Sequence, residues 1–390
     1  MVSFHSYQHD LLKQIEQATG KAIDATIRQA FLDTPRHLFV QQYLNPMSQQ
    51  WCNINIDGGE EHFPILYSDR SLVIYKPCDS HFVSTISQPS LVLDMLAMMD
   101  IQPGNTIFEI GAGSGWNAAM MSQLVGVEGH VYSMEIFPEL VNSTRRTIER
   151  IGFQAVTVLL GDGAMGYMHG APFDRIIFTA GSYDIPFELH RQLKENGLLL
   201  AVLKLAGGGD DVVLFRKLNG VLVSQHSSPA MFIPMLGGSL SKSLDGVELS
   251  SFLVDHNLVV KPIGQKPFWW GRRLSRNMMQ DTEGIRSFLQ FSEPGYRVFL
   301  TGESIVDVCF GMYDEENCSL VVVQNNLLTS YGSFDAENKF LEILSQWIKM
   351  GMPSSVQLSL RVYPKPDYLP DNHEGWILDR PNSIFLSRLI

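Results

Sequence analysis

The chain has 390 residues, 45% hydrophobic and 18% charged, which gives it enough apolar content for sizeable cores and a length that suggests two or three domains. Lys and Arg number 29 against 41 Asp and Glu, a formal net charge of −12, so the clustered basic face that phosphate-backbone binding needs is not expected, and nucleic acid is set aside as a partner. Cys52, Cys78, Cys309 and Cys318 lack C-x-x-C spacing, the 11 histidines lack ligand spacing, and no apolar run approaches the roughly 18 residues of a membrane span; a disulfide framework, a metal centre and a membrane segment are all unexpected.

The first residues, MVSFHSYQHDLLKQ, carry no basic flank followed by an apolar core, and a reducing, cytoplasmic setting is expected. Residues 8–31 place apolar side chains at helical spacing, interrupted near Gly20, which predicts two helices closed by the turn DTPRHLFV (33–40). Residues 41–80, rich in Asn, Gly and Pro, read as ordered loop. From Ser87 to Ser224 helical stretches alternate with the short apolar runs TIFEI (106–110), GHVYSMEI (129–136), VTVLLGDG (156–163), DRIIFTAG (174–181) and GLLLAVLKL (197–205). Continuous apolar runs of this length are what strands covered by helices on both faces look like, so the fold class is α/β with a mostly parallel, doubly wound sheet.

GDDVVLFRKLNGVLVSQHS (209–227) alternates on either side of Asn219-Gly220, a hairpin signal, and is expected as an antiparallel pair at the sheet edge. The Gly, Ser and Pro of 228–246 mark a boundary, with a linker at 238–246. Residues 247–390 then read as an α+β module: strands in YRVFL, VDVCFGMY, SLVVV, VQLSLRVY, GWILD and SIFLS, and a helix at 335–351. The expected organisation is a catalytic domain over 1–237, whose first 80 residues are helices and loops, and an accessory domain over 247–390.

FEIGAGSGW sets Gly111, Gly113 and Gly115 between a strand and a helix, where backbone approaches a ligand closely and the helix start adds partial positive charge. G-x-G-x-G also suits dinucleotides. Glu135 lies at the end of the second strand, 20 residues after Gly115, where a carboxylate can accept from ribose hydroxyls; this too permits a dinucleotide. Asp162 in GDG, at the end of the third strand, can accept from an adenine amino group, and the third glycine comes one residue earlier than in G-x-G-x-x-G. With Glu109 two residues ahead of the loop, these departures favour S-adenosyl-L-methionine over NAD. The fourth strand ends FTAGS and not Asp/Asn-Pro-Pro-Tyr, which disfavours methylation of nucleic-acid bases.

The series DTPRHLFV, YSDRSLVI (67–74), STISQPS (84–90), FEIGAGSGW, GDG-x-x-G (161–166), APFDRIIFTAG (171–181), IPFELHRQLKENGLLL (185–200) and FIPML (232–236) resembles the protein-L-isoaspartate O-methyltransferase family over about residues 22–237. T-I-S-Q-P is its most specific motif. The resemblance implies a Rossmann-like methyltransferase sheet, S-adenosyl-L-methionine as donor with S-adenosyl-L-homocysteine as product, and Ser87 as the active-site residue. It implies a cofactor site of Thr85, Ile86, Glu109, Gly111, Ala112, Gly113, Ser114, Gly115, Glu135, Ile136, Gly161, Asp162 and Gly163, and an acceptor side of Thr85, Ser87, Gln88 and Pro89. Taken alone, Ser87 or Ser90 reads as the cap of the helix that follows.

Ser90 stands where the family usually has His or Tyr, and 41–66 departs from the family pattern. FLQFSEPGYRVFL, SLVVVQNNLLTSYG, LSLRVYP and GWILDRPNS are similar to the tails of long bacterial members linked to modification of ribosomally made peptides. Three functions follow as expectations: methylation of isoaspartyl side chains in proteins or peptides, giving an ester that collapses to succinimide; methylation of an aspartate in a dedicated precursor peptide; and a non-catalytic adaptor for isoaspartyl ends. Phe268, Trp269 and Trp270 beside Arg272 and Arg273 read either as a peptide-binding face or as packing.

Overall fold

The computed structural model describes residues 4–54, 59–77, 83–204, 210–230, 232, 235–236, 247–268, 278–300, 308–353, 357–366 and 373–389. Contacts divide the chain into two compact units: Met1–Ala180 with Glu188–Ala201 and Phe232–Gly238, and Gly181–Phe187 with Val202–Met231 and Ser239–Ile390.

In the first unit the two N-terminal helices form where apolar spacing predicts them. Helix α1 (Phe4–Thr19) buries Leu11, Leu12 and Ile15, and α2 (Ala25–Asp33) buries Ile27, Ala30 and Phe31. Asp24 starts α2 by accepting from the N–H groups of Thr26 at 2.8 Å and Ile27 at 3.3 Å. The region read as loop holds short elements instead. Strands β1 (Gln42–Leu44) and β2 (Trp51–Asn53) pair antiparallel, α3 spans Phe63–Leu66, and β3 (Leu72–Tyr75) pairs antiparallel with β4 (Ser84–Ile86). Strands of three or four residues are too short for alternation to stand out from loop sequence.

Helix α4 (Pro89–Met98) leads into β5 (Thr106–Ile110), α5 (Trp116–Val125), β6 (His130–Glu135), α6 (Pro138–Ile151), β7 (Val156–Leu160), β8 (Phe173–Ser182), α7 (Phe187–Gln192) and β9 (Leu193–Leu203). The strands lie in the order β9-β8-β5-β6-β7, with β5 parallel to both β6 and β8, and β6 parallel to β7. Ile107 and Phe108 on β5 and Ile176, Ile177 and Phe178 on β8 have no solvent exposure, which is why those segments read as unbroken apolar runs. Chain order reverses between β5 and β8, and the crevice outside the carboxyl ends of the strands at such a reversal is where open α/β sheets bind ligands.

In the second unit β10 (Asp210–Leu218) and β11 (Val221–Ala230) form the expected hairpin, with Asn219 at φ 52° and Gly220 at φ 78°, the positive pair a type I′ turn requires. The next elements are β12 (Val247–Glu248), α8 (Leu249–Asp255), β13 (Gly264–Pro267), α9 (Met278–Ser292), β14 (Tyr296–Leu300), β15 (Val308–Asp314), β16 (Ser319–Gln324), β17 (Leu327–Tyr331) and α10 (Asp335–Lys349). Their sheet runs β12-β14-β15-β16-β17-β13, and Ile285, Phe288 and Leu289 of α9 share a core with Tyr296, Val298, Phe340 and Trp347. Phe268 is buried in the same core, its ring 5.7 Å from that of Phe340, so it packs and does not face a peptide; Trp269–Arg273 and the linker 238–246 lie outside the described residues.

The last strands are β18 (Leu358–Pro364), β19 (Trp376–Asp379) and β20 (Ser383–Leu389). The hairpin is not the sheet edge that its sequence suggests, because β18 pairs with β11 (Leu222↔Val362, Val223↔Arg361) and β20 and β19 follow outward. Alternation marks a strand with one covered face; it does not report that a segment more than a hundred residues later will satisfy the free backbone edge. Asp184, buried between β8 and α7, accepts from Ile185 N–H at 2.8 Å, from Asn382 N–H at 2.6 Å and Nδ2 at 3.0 Å, and from the Ser383 hydroxyl, fastening the turn between β19 and β20. Among the described residues no helix is long and apolar enough to cross a membrane.

Candidate active site

The loop after β5 is built by its neighbours. Gly111 and Ala112 donate backbone N–H bonds to Met134 O at 2.8 and 3.1 Å, the Thr179 hydroxyl donates to Ile110 O at 2.9 Å and Gly111 O at 2.6 Å, and the Thr144 hydroxyl donates to Gly113 O at 2.6 Å. Gly111 sits at φ 102°, and a Cβ there would come within 2.5 Å of Thr179 Oγ1, so no other residue fits. Ser114 is nearly buried and its hydroxyl accepts from Trp116 N–H at 3.3 Å; Gly115 leads into α5.

Glu135, 6% exposed at the tip of β6, accepts from Gly113 N–H at 2.9 Å through one carboxylate oxygen and from Ile136 and Phe137 N–H at 2.9 and 3.2 Å through the other. Burial raises its pKa and these three bonds oppose the rise. A carboxylate offers about four lone-pair sites, so one stays open to a sugar hydroxyl beside the glycine loop. Gly161 N–H donates to Glu135 O at 3.0 Å and binds the tip of β7 to that of β6. Asp162, half-buried, accepts from Ala164 N–H at 2.9 Å and caps the short turn Gly163–Met165, while a Cβ on Gly163 would lie 2.4 Å from Ile110 Cγ2.

Glu109 is fully buried and accepts from Asn117 Nδ2 at 2.7 Å and the Ser133 hydroxyl at 2.5 Å, so its carboxylate is engaged by α5 and β6. Burial pushes its pKa up from 4.5 to about 7 against the pull of these two donors. A pKa raised by folding means that the protonated form is the favoured one: the contribution is complete below about 4.5 and is lost as pH rises through about 7. Glu109→Gln, which removes this titration, is expected to gain stability relative to the native chain as pH rises from 4.5 to 7.5, by up to about 3 kcal/mol. Urea denaturation at the two pH values reads the difference, and a gap that does not change with pH contradicts it.

The T-I-S-Q-P stretch forms β4 and the turn into α4. A Cβ built on Gly113 would lie 3.5 Å from Thr85 O and 3.6 Å from Ser84 Oγ, so β4 runs alongside the glycine loop. Ile86 is buried, Thr85 and Ser87 are half-buried, and Pro89 opens α4 at a position where its missing N–H costs nothing. Neither serine caps α4. Asp69, from YSDRSLVI, accepts Ser90 N–H at 2.8 Å and the Gln88 side-chain amide at 3.1 Å, and that amide also donates to the Ser90 hydroxyl at 3.0 Å. Among the described residues no group bonds the Ser87 hydroxyl.

Sequence reading passed over Asp69 and Arg36 as functional residues. Both stand in motifs quoted for the resemblance, and only the fold brings them to Ser87. A separate cleft of about 330 Å³ borders Gly113 and Ser114 and is lined by Gln41, Tyr75, Glu139 and Arg146; it does not touch Ser87, Glu135 or Asp162.

The family model described as protein-L-isoaspartate(D-aspartate) O-methyltransferase matches residues 6–240. The chain is 34% identical over 215 residues to a protein-L-isoaspartate O-methyltransferase of Methanothrix thermoacetophila, covering 55% of this chain and 90% of that protein. It is 33% identical over 224 residues to that of Methanosarcina mazei, covering 57% and 82%, and 33% identical over 223 residues to that of Pyrococcus horikoshii, covering 57% and 89%. A solved protein-L-isoaspartate O-methyltransferase superposes with a TM-score of 0.54 at 24% identity, covering 91% of this chain and 96% of that one, a likeness of fold.

Proposed function

The chain belongs to the protein-L-isoaspartate(D-aspartate) O-methyltransferase family, and from that premise we propose that it methylates the side-chain carboxylate of isoaspartyl residues in proteins, with Ser87 as the residue that positions the acceptor. The cofactor is S-adenosyl-L-methionine, which supplies a methyl on a sulfonium as an electrophile. Glu135 and Asp162 stand at successive strand tips beside the glycine loop, with acceptors for a ribose and an adenine.

An isoaspartyl carboxylate is ionised at neutral pH and needs no base to become a nucleophile. What the protein contributes is orientation: the Ser87 hydroxyl donates to one carboxylate oxygen and leaves the other in line with the methyl, and the buried wall of Ile86 keeps water from competing. The carboxylate oxygen forms the new bond to carbon while the carbon–sulfur bond breaks, leaving S-adenosyl-L-homocysteine. The ester is then open to attack by the following backbone nitrogen, which breaks the ester C–O bond, releases methanol with the amide proton and gives a succinimide.

The observation that carries this reading is the approach of Thr85 O to within 3.5 Å of a Gly113 Cβ, which brings the acceptor turn and the cofactor loop together. A dedicated precursor peptide and a non-catalytic adaptor are not favoured, since each of the three relatives named above bears the isoaspartate methyltransferase name. Methyl transfer to an isoaspartyl peptide and to its aspartyl twin separates the readings: the isoaspartyl peptide alone is expected to be methylated, and exclusive use of the aspartyl twin overturns the proposal.

A further inference from the structure

We propose that Arg36 and Asp69 form a two-part clamp that positions Ser87 for methyl transfer; the inference rests on Ser87 being the acceptor-holding residue. Arg36 has no solvent exposure and makes no ion pair with a described carboxylate. Its guanidinium is held by backbone. Nη1 donates to Leu66 O at 2.7 Å and Ser68 O at 3.3 Å, and Nη2 donates to Arg70 O at 2.9 Å, Ile86 O at 3.3 Å and Ser87 O at 2.9 Å. The guanidinium carbon lies 5.3 Å from the centre of the Trp116 ring, at the first residue of the helix that follows the glycine loop.

Burying a charge is costly, and carbonyl dipoles, an aromatic face and the nearby Asp69 carboxylate offset the cost here. Desolvation lowers the pKa of Arg36 to about 9, still above neutral, so the group stays charged and keeps its donors. A purely structural tie would need a carbonyl or two from any neighbour. This one reaches the carbonyls of the two peptide bonds on either side of Ser87 and joins them to the 66–70 segment.

Asp69 works from the same segment on the other side of the turn. It accepts Ser90 N–H and the Gln88 amide, the two residues around Pro89. With the carbonyl of Ser87 held from one side and the start of α4 from the other, the backbone of Ser87 is held in place, which sets the position from which its side chain projects. Holding reactive groups to within a fraction of an ångström is where much of the gain from orientation lies. Lysine offers a single ammonium and cannot span carbonyls lying in two directions, so the conservative change breaks the clamp while keeping the charge.

The test is a pair of double-mutant cycles on the full chain, read as kcat for an isoaspartyl peptide together with S-adenosyl-L-methionine affinity by calorimetry. Arg36→Lys and Asp69→Asn are each expected to lower kcat about 10-fold or more with cofactor affinity within about 3-fold of native. Combined with Ser87→Ala, neither is expected to lower kcat beyond the Ser87→Ala level, because each acts through that hydroxyl. If the losses multiply while Ser87→Ala alone is slow, the clamp is wrong and the reading of Ser87 stands. If Ser87→Ala keeps native kcat, the reading of Ser87 itself fails. Should Arg36→Lys not fold, the Asp69→Asn cycle decides by the same criterion.

Discussion

Replacing Ser87 with Ala is expected to lower methyl transfer to an isoaspartyl peptide by roughly 10²-fold or more while affinity for S-adenosyl-L-methionine stays close to native, the size of loss that follows removal of one donor aimed at a reacting group. The hydroxyl has no bond to another described residue, so the change removes no protein contact, and Asp69, not Ser87, caps α4, so the helix start is kept. The effect therefore falls on the acceptor alone. Rapid-quench measurement of transfer, with calorimetry for the cofactor, reads both quantities. A variant with native kcat, or one that loses cofactor affinity in proportion, shows that Ser87 is not the residue that orients the carboxylate.

Replacing Glu135 with Ala acts on the other half of the site, through cofactor affinity and stability. The carboxylate accepts three backbone N–H bonds, one from the glycine loop itself, at a position with only 6% exposure. Leaving buried donors unsatisfied costs about 1–3 kcal/mol for each group, and about 1.4 kcal/mol corresponds to a tenfold change in affinity. The donor Gly113 N–H shapes the loop that receives the cofactor, so part of that cost appears as weaker binding, on top of a lost ribose contact. A fall in S-adenosyl-L-methionine affinity of roughly 10²-fold or more is expected, with a lower melting temperature. Isothermal titration checks it, and affinity within a few-fold of native contradicts it.

The sheet was legible because its strands are buried on both faces and so appear as uninterrupted apolar runs, and the glycine loop because a turn at φ 102° leaves glycine as the residue that fits. Asn219-Gly220 was legible for the same reason. What the sequence hid was long-range pairing. Nothing in Leu222 or Val223 announces that β18 will lie against them, and nothing in Asp69 announces that it will cap a helix twenty residues on. Helices α8 and α9 and strand β17 also escaped, since α8 has seven residues and α9 carries Gly284 within an otherwise mixed stretch.

At the site, residue type and spacing set Glu135 and Asp162 at strand tips, where the structure has them, but spacing could not tell how far a carboxylate is already engaged by the protein. Glu109 has the same type and lies two residues from the same loop, yet the structure buries it against Asn117 and Ser133. Ser87 was singled out through the company of its motif, because a lone serine before a proline reads as a cap. Arg36 was in plain view in DTPRHLFV, but a buried arginine bound only to carbonyls has no sequence signature, and its partners come from positions 66–70 and 86–87.

A crystal structure with S-adenosyl-L-homocysteine bound tests the whole arrangement most directly. The account predicts the ribose within hydrogen-bond reach of Glu135, the adenine amino group at Asp162 and the sulfur facing the Ser87 hydroxyl. Density for the ligand in the separate cleft beside Tyr75 and Arg146, or a sulfur turned away from Ser87, would contradict it.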